Sequence, residues 1–210
     1  KLTKAGYKSY GDTLVYTGRI RMVNTSQPPD IALNITTLQG TNPNTKIVSR
    51  SGGERIALST LCQQVADNLN LRLVFKAQDA WVSNYTYNGS AFDEIAELEK
   101  FPSQTNTEES LLSVYQDNNE LIVTNYNKPI EIEVFNINED TGMVNTPQMD
   151  ERGIIVKTIF NKNLNVNSLM NVESKINPNA NGQWRIYKID YSLQNRDNDF
   201  YMVLWGQKHE

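Results

Sequence analysis

The sequence predicts an α+β fold that is predominantly β, and three observations predict it. Runs rich in β-branched and aromatic residues, with apolar positions alternating, fill the first and last thirds of the 210 residues. A single apolar stripe at helical spacing lies between them. Asn, which favours turns, recurs throughout, as short strands joined by many connections require.

The elements follow in order. Thr13 to Val23 reads as strand, interrupted at Gly18 by a bulge or a close backbone approach. Asn24 to Asp30 breaks the chain, since Pro28-Pro29 cannot sit in a central strand. Ile31 to Leu38 is a second strand, and the alternation of Ile31, Leu33 and Ile35 predicts one buried face. Gly40 to Asn44 is a loop. Leu58, Leu61, Cys62, Val65 and Leu69 then form one helical stripe, with Ser51 and Glu54 at capping-box spacing ahead of it. Leu71 to Phe75 is a short strand. Gly89 to Lys100 predicts a second helix, with Ser90 as N-cap, Asp93 as its capping-box partner and Pro102 as the stop.

Leu111 to Tyr115 and Glu120 to Thr124 predict a hairpin about the Gln116 to Asn119 turn. Pro129 marks a boundary, Glu131 to Val134 alternates as a strand, and Asn136 to Glu151 reads as a long polar connection. The last third returns to strands at Gly153 to Phe160, Leu169 to Ile176, Gln183 to Ser192 and Phe200 to Trp205. Asn181-Gly182, a strong hairpin signal, stands between the second and third of these.

Bulk composition narrows the function classes. Hydrophobic residues make up 39% and charged residues 21%, which excludes a disordered chain. No apolar run reaches the roughly 20 residues of a bilayer span. A net charge of −4 argues against a broad nucleic-acid-binding face. One cysteine, Cys62, permits no internal disulfide, and with one histidine, His209, no thiolate or imidazole zinc site can be assembled. Lys1 to Gly6 carries no apolar signal region, so no secretory leader is expected, and without an initiator Met residue 1 is expected to be a cut point.

Each residue that could carry chemistry has a plainer reading. Cys62 lies inside the helical stripe and is expected to be a packed core thiol. Of the four acids Asp93, Glu94, Glu97 and Glu99, the first two suit a helix N-terminus and the others a solvated face. Asn136-x-Asn138-x-Asp140-x-Gly142 echoes a calcium loop, but its Gly is displaced and no closing Glu follows. Gly52-Gly53 lacks the Gly-Lys-Ser/Thr of a phosphate loop. His209 sits in a tail expected to be mobile, a poor member of a catalytic triad. The Asn24, Asn34, Asn84 and Asn88 sequons are chance matches in so Asn-rich a chain. No catalytic residue, cofactor or metal is therefore expected. Trp81, Trp184 and Trp205 with the tyrosines leave a carbohydrate- or receptor-binding module as the alternative, and a peptidoglycan hydrolase as a more remote one.

The block from Gly153 to Trp205 resembles the C-terminal segment of phage baseplate-hub (tail-hub) proteins. It comprises strand Gly153 to Phe160, the Asn161-Lys162-Asn163-Leu164 step, Leu169 to Ser174, the Asn181-Gly182 turn, Gln183 to Tyr191 and Phe200 to Trp205. Tyr16 to Ile20, Ile31 to Leu38 and the two helices come in a compatible order, so the resemblance extends over Gly6 to Trp205, with further strands expected before Gly6.

The resemblance implies barrel-like β domains with a small helix-containing α/β insertion, similar to the tail-tube fold and to type VI spike-hub domains. It implies barrel-like segments at 1–48 and 129–210 around an insertion at 49–128. It further implies a structural virion component, not an enzyme, assembled in the host cytoplasm as a homotrimer. Such a subunit joins the tail tube or its initiator to the central spike and lines the channel for tape-measure protein and DNA, with no specific nucleic-acid binding. The Tyr16 to Val23 and Gly153 to Phe160 strands are expected as barrel elements. Trp184, Arg185, Tyr187 and Tyr191 are expected at an assembly surface.

Overall fold

A computed structural model of the protein describes residues 2–9, 11–29, 31–38, 46–100, 111–125, 133–194 and 199–209. The loop expected at 40–44, the helix stop at Pro102, the boundary at Pro129 and the first half of the strand expected from Glu131 lie outside the described residues. The chain divides into two compact units, Lys1–Lys4 with Leu14–Tyr126, and Ala5–Thr13 with Asn127–Glu210. The fold is α+β and predominantly β, with two α-helices among the described residues.

Two hairpins begin the chain. β1 (Leu2–Tyr7) pairs with β2 (Gly11–Thr17), and β3 (Arg19–Thr25) with β4 (Leu33–Leu38). Gly18 separates β2 from β3, and a bulge follows between Ile20 and Met22. Pro28-Pro29, joined by a cis peptide bond, occupies the loop, where no ladder donor is needed. The alternating face expected to be buried is not: Ile31, Leu33 and Ile35 are 74%, 61% and 37% exposed. Alternation decides which side chains share a face, but burial requires a second layer, and this two-stranded sheet has none among the described residues.

The rest of the first unit gathers around one helix. β5 (Ile47–Ser51) is followed by β6 (Arg55–Ala57), which runs into α1 (Leu58–Leu69). The predicted stripe is buried, with Ala66 added to it. The Ser51/Glu54 capping box does not form, because Ser51 is still strand and the helix starts seven residues later. The cap comes from a distant loop: the Asp79 carboxylate accepts hydrogen bonds from the Ser59 N–H (3.0 Å) and hydroxyl (2.6 Å), and the Ala80 carbonyl accepts from the Leu58 N–H (2.8 Å). Asn70, in the left-handed region at φ 54°, ends α1.

β7 (Arg72–Phe75), β8 (Trp81–Ser83) and β9 (Thr86–Ser90) follow; β8 pairs with β6 and β9 with β5. α2 (Asp93–Leu98) is shorter than the helix expected over 89–100. Gly89 and Ser90 belong to β9, and the Ser90 hydroxyl accepts from the Phe92 N–H (3.2 Å) without closing a box with Asp93. β10 (Leu112–Asp117) and β11 (Glu120–Asn125) form the predicted hairpin, turning at Asn118 with φ 49°. β11 also pairs in parallel with β7, and Leu121 and Val123 join the α1 stripe in one core.

The second unit is built on a six-stranded sheet. Its strands are β12 (Val134–Ile137), β13 (Gln148–Asp150), β14 (Gly153–Ile159), β15 (Leu169–Val172), β16 (Gly182–Leu193) and β17 (Phe200–Lys208), in the order β12-β15-β16-β17-β14-β13. The 136–151 stretch expected as a connection holds the end of β12, a 3₁₀ turn at Glu139–Thr141 and edge strand β13.

The hairpin expected at Asn181-Gly182 is also corrected. β15 and β16 are antiparallel, but residues 173–181 join them; Gly182 lies in β16 opposite Val172, and the Asn181 carbonyl oxygen of the side chain accepts from the Ser174 N–H (2.6 Å). Ile154, Val156 and Thr158 of β14, with Met202 and Leu204 of β17, make the buried face. Ile154 is opposite Gly206 on that face, and Gly153 lies against the Gly206 carbonyl. A Cβ on Gly153 (φ 138°) would collide with the Gly206 carbonyl, and one on Gly206 would collide with Met170.

Candidate assembly surface

The four residues singled out on β16 separate into two kinds. Trp184 and Arg185 are buried. The Trp184 indole N–H donates to the Ala180 carbonyl (3.0 Å), closing the β15–β16 connection. Arg185 donates from Nη1 to Asn167 Oδ1 (2.7 Å) and from Nη2 to Gln207 Oε1 (2.9 Å), tying the 161–168 loop to β17. These two side chains hold the sheet together from within.

Tyr187 and Tyr191 keep accessible surface. Tyr187 is half-buried and is the extra residue of a bulge, because Ile186 pairs with Gly206 and Lys188 with Trp205. Tyr191 is 41% exposed and borders an aromatic cluster. Phe160 lies 6.4 Å from Tyr191 and 5.4 Å from Phe200, and Tyr7 lies 5.1 Å from Phe200, centroid to centroid. Burial raises the Tyr7 phenol above its ordinary range, the backbone hydrogen bond to Phe160 only partly opposing this. A cleft of about 270 Å³ beside the cluster is lined by Tyr7, Phe160, Asn161 and Lys162 among others.

The opposite face of this sheet is open and carries other residues. Lys188 Nζ sits 4.7 Å from the Trp205 ring centre, and both Lys188 Nζ (2.7 Å) and the Trp205 indole N–H (3.0 Å) donate to Asp190 Oδ2. Lys157 covers the Tyr201 ring at 4.2 Å. Opposite charges and rings thus fix a stripe of half-exposed aromatic area on one face of β14, β16 and β17. Tyr201, Val203 and Trp205 alternate along β17 and share this stripe; the cross-strand Lys188 and Asp190 could be assigned to it only once the register was known.

Other chemistry-bearing residues are accounted for by the fold. Glu94, read as a helix-end carboxylate, is fully buried: it accepts from Arg50 Nε (2.6 Å) and Nη2 (3.2 Å) and from the Tyr85 hydroxyl (3.0 Å). Burial, then the Glu94 charge, holds the Tyr85 phenol well above its ordinary range. Glu99, read as solvated, accepts from the Val114 N–H (3.0 Å). Burial, with the nearby Asp79 charge adding to it, pushes the Cys62 thiol up to about 12, so at neutral pH it is a core thiol and not a nucleophile.

In the calcium-like stretch, the Asn138 Oδ1 accepts from the Asp140 (3.0 Å) and Thr141 (2.9 Å) N–H groups, while the Thr141 hydroxyl accepts from the Asn138 N–H (2.8 Å). This is a capping box of the 3₁₀ turn. Among the described residues no group of three His, Cys, Asp or Glu side chains could hold a metal ion, and no helix is long and apolar enough to cross a membrane.

Aromatic side chains held by charged partners on an open sheet face are what a structural assembly protein presents to its neighbours. Comparison with known families makes this particular. The model of the family described as baseplate hub gp41 matches residues 2–206, and the chain belongs to that family. It is a structural component of the phage tail baseplate, and the resemblance read from Gly153 to Trp205 is borne out. No curated protein matches the chain.

Proposed function

We propose that this chain is the homotrimeric hub that joins the tail tube or its initiator to the central spike and lines the channel for tape-measure protein and DNA. Residues 1–48 and 129–210 supply the barrel-like segments in this reading, and 49–128 the insertion between them. The role is architectural and without catalysis, and assembly takes place in the host cytoplasm.

The observation that carries the reading is the open face of the six-stranded sheet. There Tyr201 and Trp205 of β17 are held by Lys157, Lys188 and Asp190, while Tyr191, opposite Met202, is exposed at the other face beside Phe160. Aromatic area rimmed by paired charges is the composition of a protein–protein interface core and its rim. Trp184 and Arg185 serve this surface indirectly, by fixing the backbone of β16. A net charge of −4 suits a channel through which DNA slides without specific binding.

Light scattering over a concentration series tests the trimer. A species of three times the monomer mass, present throughout or appearing as concentration rises, is expected, with a ring in electron micrographs. A monomer at every concentration overturns the homotrimer, and a glycan screen then decides whether the aromatic stripe is a carbohydrate platform.

A further inference from the structure

We propose that the β3–β4 hairpin is an arm received by a second copy of this chain, where it adds to the free β12 edge of the six-stranded sheet and sets Arg19 and Arg21 against the acidic cleft beside that edge. The inference rests on the hub reading above and names the contact that would close its ring.

The first argument is that the hairpin is incomplete. β3 and β4 pair only with each other among the described residues, and every residue of β3 is exposed. An isolated two-stranded hairpin is marginal in water, and its outer edges present unpaired donors and acceptors. Val23 lies opposite Ile35, and Leu33 follows two residues from Ile35, so the three share one face. Val23 is 52% and Leu33 61% exposed. Such a face and such edges call for a partner strand.

The second argument concerns charge. Residues 1–26 carry Lys1, Lys4, Lys8, Arg19 and Arg21 against the single acid Asp12, a net charge of +4. The whole chain is −4, so the remaining residues carry −8. Of the basic residues, Arg19 and Arg21 lie on β3, and neither β3 nor β4 carries an acid, which suits the hairpin to an acidic surface on another copy. Unlike surfaces that meet in this way form a head-to-tail contact, which closes into a ring when the rotation permits.

The third is that a matching edge exists. β12 ends the sheet order and pairs only with β15 among the described residues. Val134 and Phe135 are half-buried along it. An open cleft of about 430 Å³ adjoins its end, lined by Glu139, Asp140 and Glu173 against one cation, Lys175. Strand addition gives main-chain hydrogen bonds, and the two arginines give the register.

Charge reversal and restoration test the pairing. Arg19→Glu with Arg21→Glu, and separately Glu139→Lys with Asp140→Lys, should each raise the concentration for self-association by at least about tenfold, since like charges then meet. All four changes in one chain should restore it to within about threefold of the original. All four positions involved are exposed, and in hydrogen exchange the β3 and β4 amides should be protected only in the oligomer.

A trimer that survives both double substitutions overturns the arm and leaves the hub reading standing. Loss in both doubles without restoration by the four changes together also overturns the pairing. A wild-type chain that stays monomeric at every concentration overturns the arm and the homotrimer together.

Discussion

The α1 helix and the β3–β4 hairpin belong to the same compact unit and carry the same kind of side chain, yet they stand at opposite extremes of burial. Leu61 and Val65 of α1 are fully enclosed, whereas Leu33 and Val23 of the hairpin are more than half exposed. The difference is the number of layers. α1 shares its core with residues of β10 and β11 and with Val82, Ile95 and Leu98, while the hairpin has, among the described residues, only its own two strands. The apolar face is thus covered in the first case and open in the second, where the proposed arm contact would cover it. Stability of the isolated chain should reside in the former and assembly in the latter.

Substitutions inside the α1 core should show the largest effects. Leu61→Ala removes a fully buried side chain and is expected to cost about 2–5 kcal/mol in denaturant melts. Glu94→Ala leaves Arg50 without its carboxylate and should cost about 3–5 kcal/mol. Replacing both, Arg50→Met with Glu94→Leu, should recover most of that loss, because the penalty lies in the orphaned charge more than in the absence of a bond. A double variant no more stable than Glu94→Ala alone would show that the pair fixes geometry which an apolar pair cannot supply.

A smaller effect tests how α1 begins. Asp79→Ala removes the acceptor of the Ser59 N–H and hydroxyl and should cost about 1 kcal/mol. The sign of its pH dependence follows from the carboxyl group. Burial raises the Asp79 pKa, but the Ser59 hydroxyl, Ser59 N–H and Ala80 N–H outweigh it and hold the group below its ordinary range. The contribution is therefore present above the unfolded carboxyl's range and is lost as pH falls through the folded one. Urea melts of the original and Asp79→Ala chains should differ at pH 7 and converge in acid.

These residues also mark what the sequence could reveal. The α1 stripe was legible to the residue, because helical periodicity is local and the burying layers covered it. Its cap was not, since Asp79 is 20 positions from Ser59. Glu94 in an acid-rich run reads as a helix-end carboxylate until Arg50, 44 positions earlier, is seen beside it. At the candidate surface, β16 carries a bulge at Tyr187, which no composition rule places. Ahead of it Trp184 and Arg185 are enclosed, and beyond it Tyr191 is open. The family was legible because the order of the last strands survives all of these local departures.

The smallest expected effect is the sharpest for the comparison. Leu33→Thr keeps a strand-forming residue and removes apolar surface that water already reaches, so the stability of the monomer should change by no more than about 0.5 kcal/mol. Self-association should nonetheless weaken, because the lost area is the area a partner would cover. Melts at a concentration where the chain is monomeric, set beside light scattering at higher concentration, separate the two quantities. A loss in the monomer comparable to that of Leu61→Ala would mean that the hairpin face is buried within the chain in solution, and the contrast between the two regions would then be one of degree and not of partner.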